Sequence, residues 1–269
     1  MIDPLQDGKS FIELIDHMGG DLAVVNDARA SRAVVSEDLT PGDIKLMSFL
    51  LLNLTSPQHT SPLRGTAFKF RVKAPLYVCR QWWKHHIASS HIDEQSQWNE
   101  RSLRYSKVKD GGDYYVPKEF NTQSTTNKQS SAGALSIDSQ EYLRGIFDST
   151  AESCWDAYQS LIKAGVSREQ ARGVLPPCFY TTFTWTVSLQ AALNFIDLRE
   201  GHGAQNEITA YAMALEDLIS PLVPNVLYMW KARKKLIHEL LDGLEPKLRD
   251  WVMISLHSLS LSKHSSPGQ

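Results

Sequence analysis

Thr66-Ala67-Phe68-Lys69-Phe70-Arg71-Val72-Lys73-Ala74-Pro75-Leu76-Tyr77-Val78-Cys79-Arg80-Gln81-Trp82-Trp83-Lys84-His85-His86 is the stretch on which the reading of this chain turns. Its first eight residues alternate apolar and charged side chains. That period of two belongs to a strand with one buried and one wet face, most naturally in an antiparallel sheet. Pro75 ends the strand and can open a helix running from Leu76 to about His86. Gln81, Lys84, His85 and His86 then sit at the helix end, where side chains can project into a cleft. A second polar cluster follows at Asn99-Glu100-Arg101-Ser102-Leu103-Arg104-Tyr105. Such cations, imidazoles and amides beside tryptophans are costly to bury without a ligand. Cationic donors suit phosphate, imidazole and amide groups suit a heteroaromatic edge, and aromatic faces can stack on the ring.

Outward from this core, Phe11–Ile15 reads as a short apolar element, residues 21–26 as a brief strand and 27–31 as a polar turn. Thr40-Pro41 is a helix start, with Thr as N-cap and Pro in the first turn. Ile44, Met47, Leu50, Leu51 and Leu54 then mark a buried face. Residues 120–139, rich in Ser, Thr, Asn and Gln, predict an exposed loop. A long helix is predicted over 140–164, with Tyr142, Ile146, Trp155, Tyr158 and Ile162 inward and Gly165 closing it. Ser167-Arg168-Glu169-Gln170 has the form of a capping box. Phe179–Trp185 reads as another strand, 188–199 as a helix with Leu189, Leu193 and Ile196 inward, and 205–218 and 226–260 as further helices. The class is α+β, an antiparallel sheet flanked by helices. One domain is expected over 1–260, with a flexible tail at 261–269.

A formal net charge of −2 gives no support to a nucleic-acid or membrane-surface partner. Three widely spaced cysteines form no zinc pattern, so no metal is expected and reduced thiols in a cytoplasmic protein are the default. No Rossmann, Walker, Gly-x-Ser-x-Gly or His-Glu-x-x-His pattern occurs.

Several dispersed blocks, in order, resemble the flavin-dependent thymidylate synthases, from about Phe11 to Ala212. Phe11-Ile12-Glu13-Leu14-Ile15-Asp16 is similar to the family's opening and Ala28-Arg29-Ala30-Ser31 to its A-R-x-S turn. Val72-Lys73-Ala74-Pro75 through Arg80-Gln81-Trp82 resembles the approach to its R-H-R…S-x-R signature. Lys84-His85-His86 stands at R-H-R; the extra residues Ser90 to Gln97 follow, and Asn99-Glu100, Ser102 and Arg104-Tyr105 resume the pattern. Ala171-Arg172, Trp185-Thr186-Val187, Asn194-Phe195 and Leu198-Arg199 resemble the second block.

The resemblance implies a homotetramer that binds FAD and moves a one-carbon unit from 5,10-methylenetetrahydrofolate to C5 of a uracil nucleotide, with NADPH as reductant. The expected reaction is dUMP to dTMP; the alternatives are UMP methylation in a specialised pathway such as nucleoside-antibiotic assembly, or a non-catalytic binding relative. It assigns Ser31, Ser61, Lys84, His85, His86, Asn99 and Asn194 to the flavin. Gln81, Glu100, Ser102, Arg104, Arg172 and Arg199 fall to the nucleotide. Arg199 is the expected catalytic residue against the pyrimidine, and His85 a flavin or folate partner. Lys84 and His86 replace two arginines, Arg64-Gly65 replaces a Glu-His pair, and Ser188 and Gln190 replace an Asn and a basic residue. These changes mark an altered pocket.

Overall fold

The computed structural model describes residues 1–54, 58–85, 98–105, 113–128, 130–201 and 203–245. His86, residues 90–97, and 246–269 with the predicted helix end and tail lie outside them. The chain divides into two compact units, one of Met1–Asp38 with Thr60–Val223, the other of Leu39–His59 with the chain from Pro224 onward.

The first unit is organised by strands β1 (Phe11–Met18), β2 (Ala67–Pro75), β3 (Trp98–Glu100) and β6 (Tyr180–Ser188). They form a sheet in the order β1-β2-β6-β3, antiparallel throughout. The alternation read from sequence is the one observed: Phe68, Phe70 and Val72 are buried while Lys69 and Arg71 face out. The same unit holds β4 (Asn121–Gln123), β5 (Ser131–Ala134) and the helices α1 (Asp21–Arg29), α3 (Leu76–Trp82), α4 (Ile137–Lys163), α5 (Arg168–Ala171), α6 (Leu189–Arg199) and α7 (Asn206–Ile219).

Two strands pass into helices without a loop. β2 becomes α3 at Pro75, and β6 becomes α6 at Ser188, whose hydroxyl caps the helix by accepting from the Ala191 N–H at 3.2 Å. Pro75 pairs with Tyr180 and Ala67 with Ser188, so the two helices leave opposite ends of the strand pair. They run back over the sheet, and their C-terminal ends meet on Trp82. This indole is wholly buried and lies 4.7 Å from Phe195, 5.3 Å from Trp185 and 5.4 Å from Phe183, centroid to centroid. Trp82 is therefore core and is not available to stack on a ligand.

Several expectations are corrected. Residues 21–26 are helical, because Asp21, Val24 and Val25 bury one face at helical spacing; the apolar run was too short to separate the two periods. Residues 120–139 contain the β4–β5 hairpin, paired by backbone groups that its polar composition did not reveal. In α4, Tyr158 is buried but Tyr142 and Ile146 are 71% and 47% exposed, so only the C-terminal half of the stripe faces this unit's core. Gly165 does close α4, at φ +86°. Ser167 precedes α5 but makes no side-chain cap bond.

In the second unit, α2 (Pro41–Leu52) starts with a capping box between Thr40 and Asp43, and Met47 and Leu51 are buried. It packs on α8 (Pro224–Asp242), where Val226, Leu227, Met229 and Trp230 are buried.

Candidate active site

The meeting point of α3 and α6 builds the site. Lys84 and His85 lie in the turn after α3, and Arg199 is the last residue of α6. Cations at helix C-terminal ends are favoured by the helix dipole. The Arg199 Nε donates to Nε2 of His85 at 2.7 Å. That bond needs a lone pair on Nε2, so His85 is held with its ring proton on Nδ1. The imidazole stands edge-on against Phe195, 4.9 Å away at 76°, and Phe195 is stacked on Trp82. The Thr209 hydroxyl fixes the Arg199 carbonyl at 2.6 Å. Burial holds the Arg199 guanidinium below its ordinary arginine value.

A cavity of about 510 Å³ opens here, lined by Lys84, His85, Ala191, Asn194, Asp197, Leu198 and Arg199. Its wall combines two cations, an imidazole, an amide and a carboxylate with the apolar Ala191 and Leu198. Polar groups converging on one edge of a partly apolar cleft are what a heteroaromatic cofactor with a polar and an apolar end requires.

Four of the residues assigned by resemblance, Lys84, His85, Asn194 and Arg199, thus share one cavity. The others lie elsewhere. Gln81 donates to the side-chain oxygen of Gln205, just before α7. Asn99 and Glu100 are on the edge strand β3, where Glu100 accepts from the Thr181 hydroxyl at 2.7 Å. The Ser102 hydroxyl accepts from the Arg104 N–H at 3.3 Å, and the Arg104 guanidinium lies 5.2 Å from the Tyr105 ring centre. Arg172, Ser31 and Ser61 are exposed on 3-10 turns. His86 lies outside the described residues.

The sequence reading missed Leu198 and Ala191 as lining, Gln205 as the partner of Gln81, and Thr181 as the partner of Glu100. One signal was there: Gln190, Asn194, Asp197 and Leu198 recur at one-turn intervals on a single face of α6. A second cavity, about 630 Å³, shares no lining with the first. It is walled mainly by Tyr77, Phe120, Leu143, Phe147 and Pro176, with Glu207 accepting from the Tyr77 hydroxyl at 3.3 Å. Among the described residues no helix is long and apolar enough to cross a membrane.

Fold and cavity define an α+β protein with a donor-lined, partly apolar pocket beside an antiparallel sheet. The chain matches the family described as "Thymidylate synthase complementing protein" over residues 13–225. It is 38% identical over 216 residues to the flavin-dependent thymidylate synthase of Thermus thermophilus, covering 80% of this chain and 73% of that one. It is 35% identical over 219 residues to that of Thermosipho africanus, covering 80% and 88%. Its structure is similar to that of the UMP/dUMP methylase PolB from Streptomyces cacaoi bound with 5-Br dUMP, with TM-score 0.70, 27% identity and coverage of 83% and 95%. The chain belongs to the flavin-dependent thymidylate synthase family.

Proposed function

We propose that this protein methylates C5 of a uracil nucleotide, converting dUMP to dTMP with 5,10-methylenetetrahydrofolate as carbon donor, NADPH as reductant and FAD as bound cofactor. The observation that carries the reading is the Arg199–His85 pair on the wall of the donor-lined cavity, in a chain 38% identical to a flavin-dependent thymidylate synthase.

FAD, when bound, supplies the redox chemistry that turns the transferred carbon into a methyl group. Lys84, His85 and Asn194 would hold the polar edge of its ring, with Ala191 and Leu198 against the apolar part. The Nε of Arg199 is committed to His85, and its terminal nitrogens make no hydrogen bond among the described residues. They suit a uracil carbonyl oxygen. As C5 becomes nucleophilic, negative charge builds on that oxygen, and a guanidinium already fixed in place stabilises it without reorganising. His85, with Nε2 committed, positions Arg199 and does not act as a base through that atom. Burial pushes the Cys178 thiol up to about 11 and raises the thiol of Cys79 well above its ordinary value, which suits a mechanism without an enzyme thiolate.

Gln81, Glu100, Ser102, Arg104 and Arg172 are assigned to the nucleotide, with the arginine forks on phosphate oxygens. Ser31, Ser61, His86 and Asn99 are assigned to FAD. Because the described residues among these do not line one cavity within a chain, we infer that a homotetramer completes the site between neighbouring subunits. Residues 1–260 act in this reading as one catalytic domain.

UMP is the second substrate considered, because PolB is described as a UMP/dUMP methylase and is bound with 5-Br UMP and with 5-Br dUMP. The test supplies FAD, methylenetetrahydrofolate and NADPH with dUMP or UMP and identifies products by mass. dTMP formation is expected; methylation of UMP alone would establish the second reading, since an added hydroxyl needs room or a partner.

A further inference from the structure

We propose that Arg64 is a phosphate-binding residue of the cofactor site, held in position by Gln190. The assignment rests on the flavin reading above and extends it from the ring to the charged chain that must trail from the cavity.

Arg64 ends the 3-10 turn Ser61–Arg64 and is exposed. Its Nε donates to the side-chain oxygen of Gln190 at 2.8 Å, and the Gln190 amide nitrogen donates to the Thr60 hydroxyl at 2.8 Å. One neutral side chain thus grips both ends of the turn. Ordering an arginine costs rotamer entropy. Here that ordering is done by an amide, which fixes the guanidinium and leaves its charge uncancelled. The two terminal nitrogens make no hydrogen bond or ion pair among the described residues. They form a donor fork of the kind that matches phosphate oxygens.

Its place also fits. Gln190 lies one turn before Asn194 on α6, and the neighbouring Ala191 lines the cavity. The residue that grips Arg64 is therefore adjacent in the chain to the wall that would hold the flavin ring. The α6 N-terminus offers less, because the Ser188 hydroxyl already takes the Ala191 N–H.

A purely structural role would predict an ion pair with Asp27. That carboxylate sits against the same turn, where a Cβ on Gly65 would lie 1.7 Å from its Oδ2. No ion pair joins it to Arg64 among the described residues, and burial pushes the Asp27 carboxyl above its ordinary value. The cation at 64 is kept for something outside the chain.

The experiment measures binding of FAD and of riboflavin, which has the ring but no phosphate, by flavin fluorescence. It uses the full-length wild type and the R64Q, R64K and Q190A variants, each checked for folding by thermal melting. R64Q is expected to lose about tenfold or more in FAD affinity, and to show a weaker salt dependence, while riboflavin binding is unchanged. R64K should recover part of the loss, and Q190A should give a smaller one. Equal FAD affinity in R64Q and wild type, or a parallel loss for riboflavin, would overturn the assignment alone. Wild-type protein that takes up no FAD would instead sink the flavin reading, and this assignment with it.

Discussion

The cavity between α3 and α6 and the polar edge at residues 98–105 carry similar side chains on different supports. In the cavity, the His85 ring stands against Phe195, which packs on Trp82 and Trp185, all three buried, and the imidazole is also hydrogen-bonded to Arg199. On the other side, Asn99, Glu100 and Arg104 are exposed, on a three-residue edge strand and the turn that follows it. The first group is fixed within the chain; the second has its backbone placed by β6 and its side chains on the exposed surface, Glu100 tied to Thr181 and Arg104 to Tyr105. In the function proposed above, reaction chemistry falls to the rigid group, because stabilising charge without reorganisation needs fixed donors. Recognition can be left to side chains that settle on contact.

The largest effect should come from removing the floor. Trp82→Ala empties the aromatic cluster and is expected to cost about 3–5 kcal/mol in chemical denaturation. A loss under about 1 kcal/mol would mean that the cavity does not depend on its core. Arg199→Ala should lower product formation by about 10²–10³-fold while the protein stays yellow, read by product mass and flavin absorbance. Undiminished turnover would remove Arg199 from its role. On the open edge, Arg104→Ala should raise the nucleotide KM by about tenfold and move folding stability by less than about 0.5 kcal/mol. Ser102→Ala should likewise weaken nucleotide handling, and mass spectrometry should find no Ser102–uracil adduct.

The smallest test concerns the packing itself. Burial, with a further push from the Glu100 charge, raises the Cys79 thiol well above its ordinary value. Only thiolate reacts, so at pH 8 a maleimide should label the half-buried Cys154 and spare Cys79 in α3. Rapid labelling of Cys79 would show that the floor of the cavity opens.

The same contrast explains what could be read in advance. β2, α3, β6 and α6 carry strong period-2 or helical patterns because each buries one full face. From them the antiparallel pair and the helix carrying Asn194 and Arg199 follow. Lys84 and His85 came from the signature resemblance, and their meeting with Arg199 is a tertiary fact. β3 offers three residues with no alternation to count. The β4–β5 hairpin is held by backbone hydrogen bonds between polar residues, which leave no hydrophobic trace. The grip of Gln190 on Arg64 spans distant positions, and neither side chain alone differs from an ordinary surface residue.

The direct passage of β2 into α3 and of β6 into α6 has a consequence for the family's variation. With no spacer at either joint, the separation of His85 and Arg199 is dictated by how β2 and β6 are aligned, so the sheet works as a ruler for this pair. Adding or deleting one residue in either strand would slide one jaw past the other. Length changes are therefore admissible only off the ruler, outside the two strands and the helices they enter.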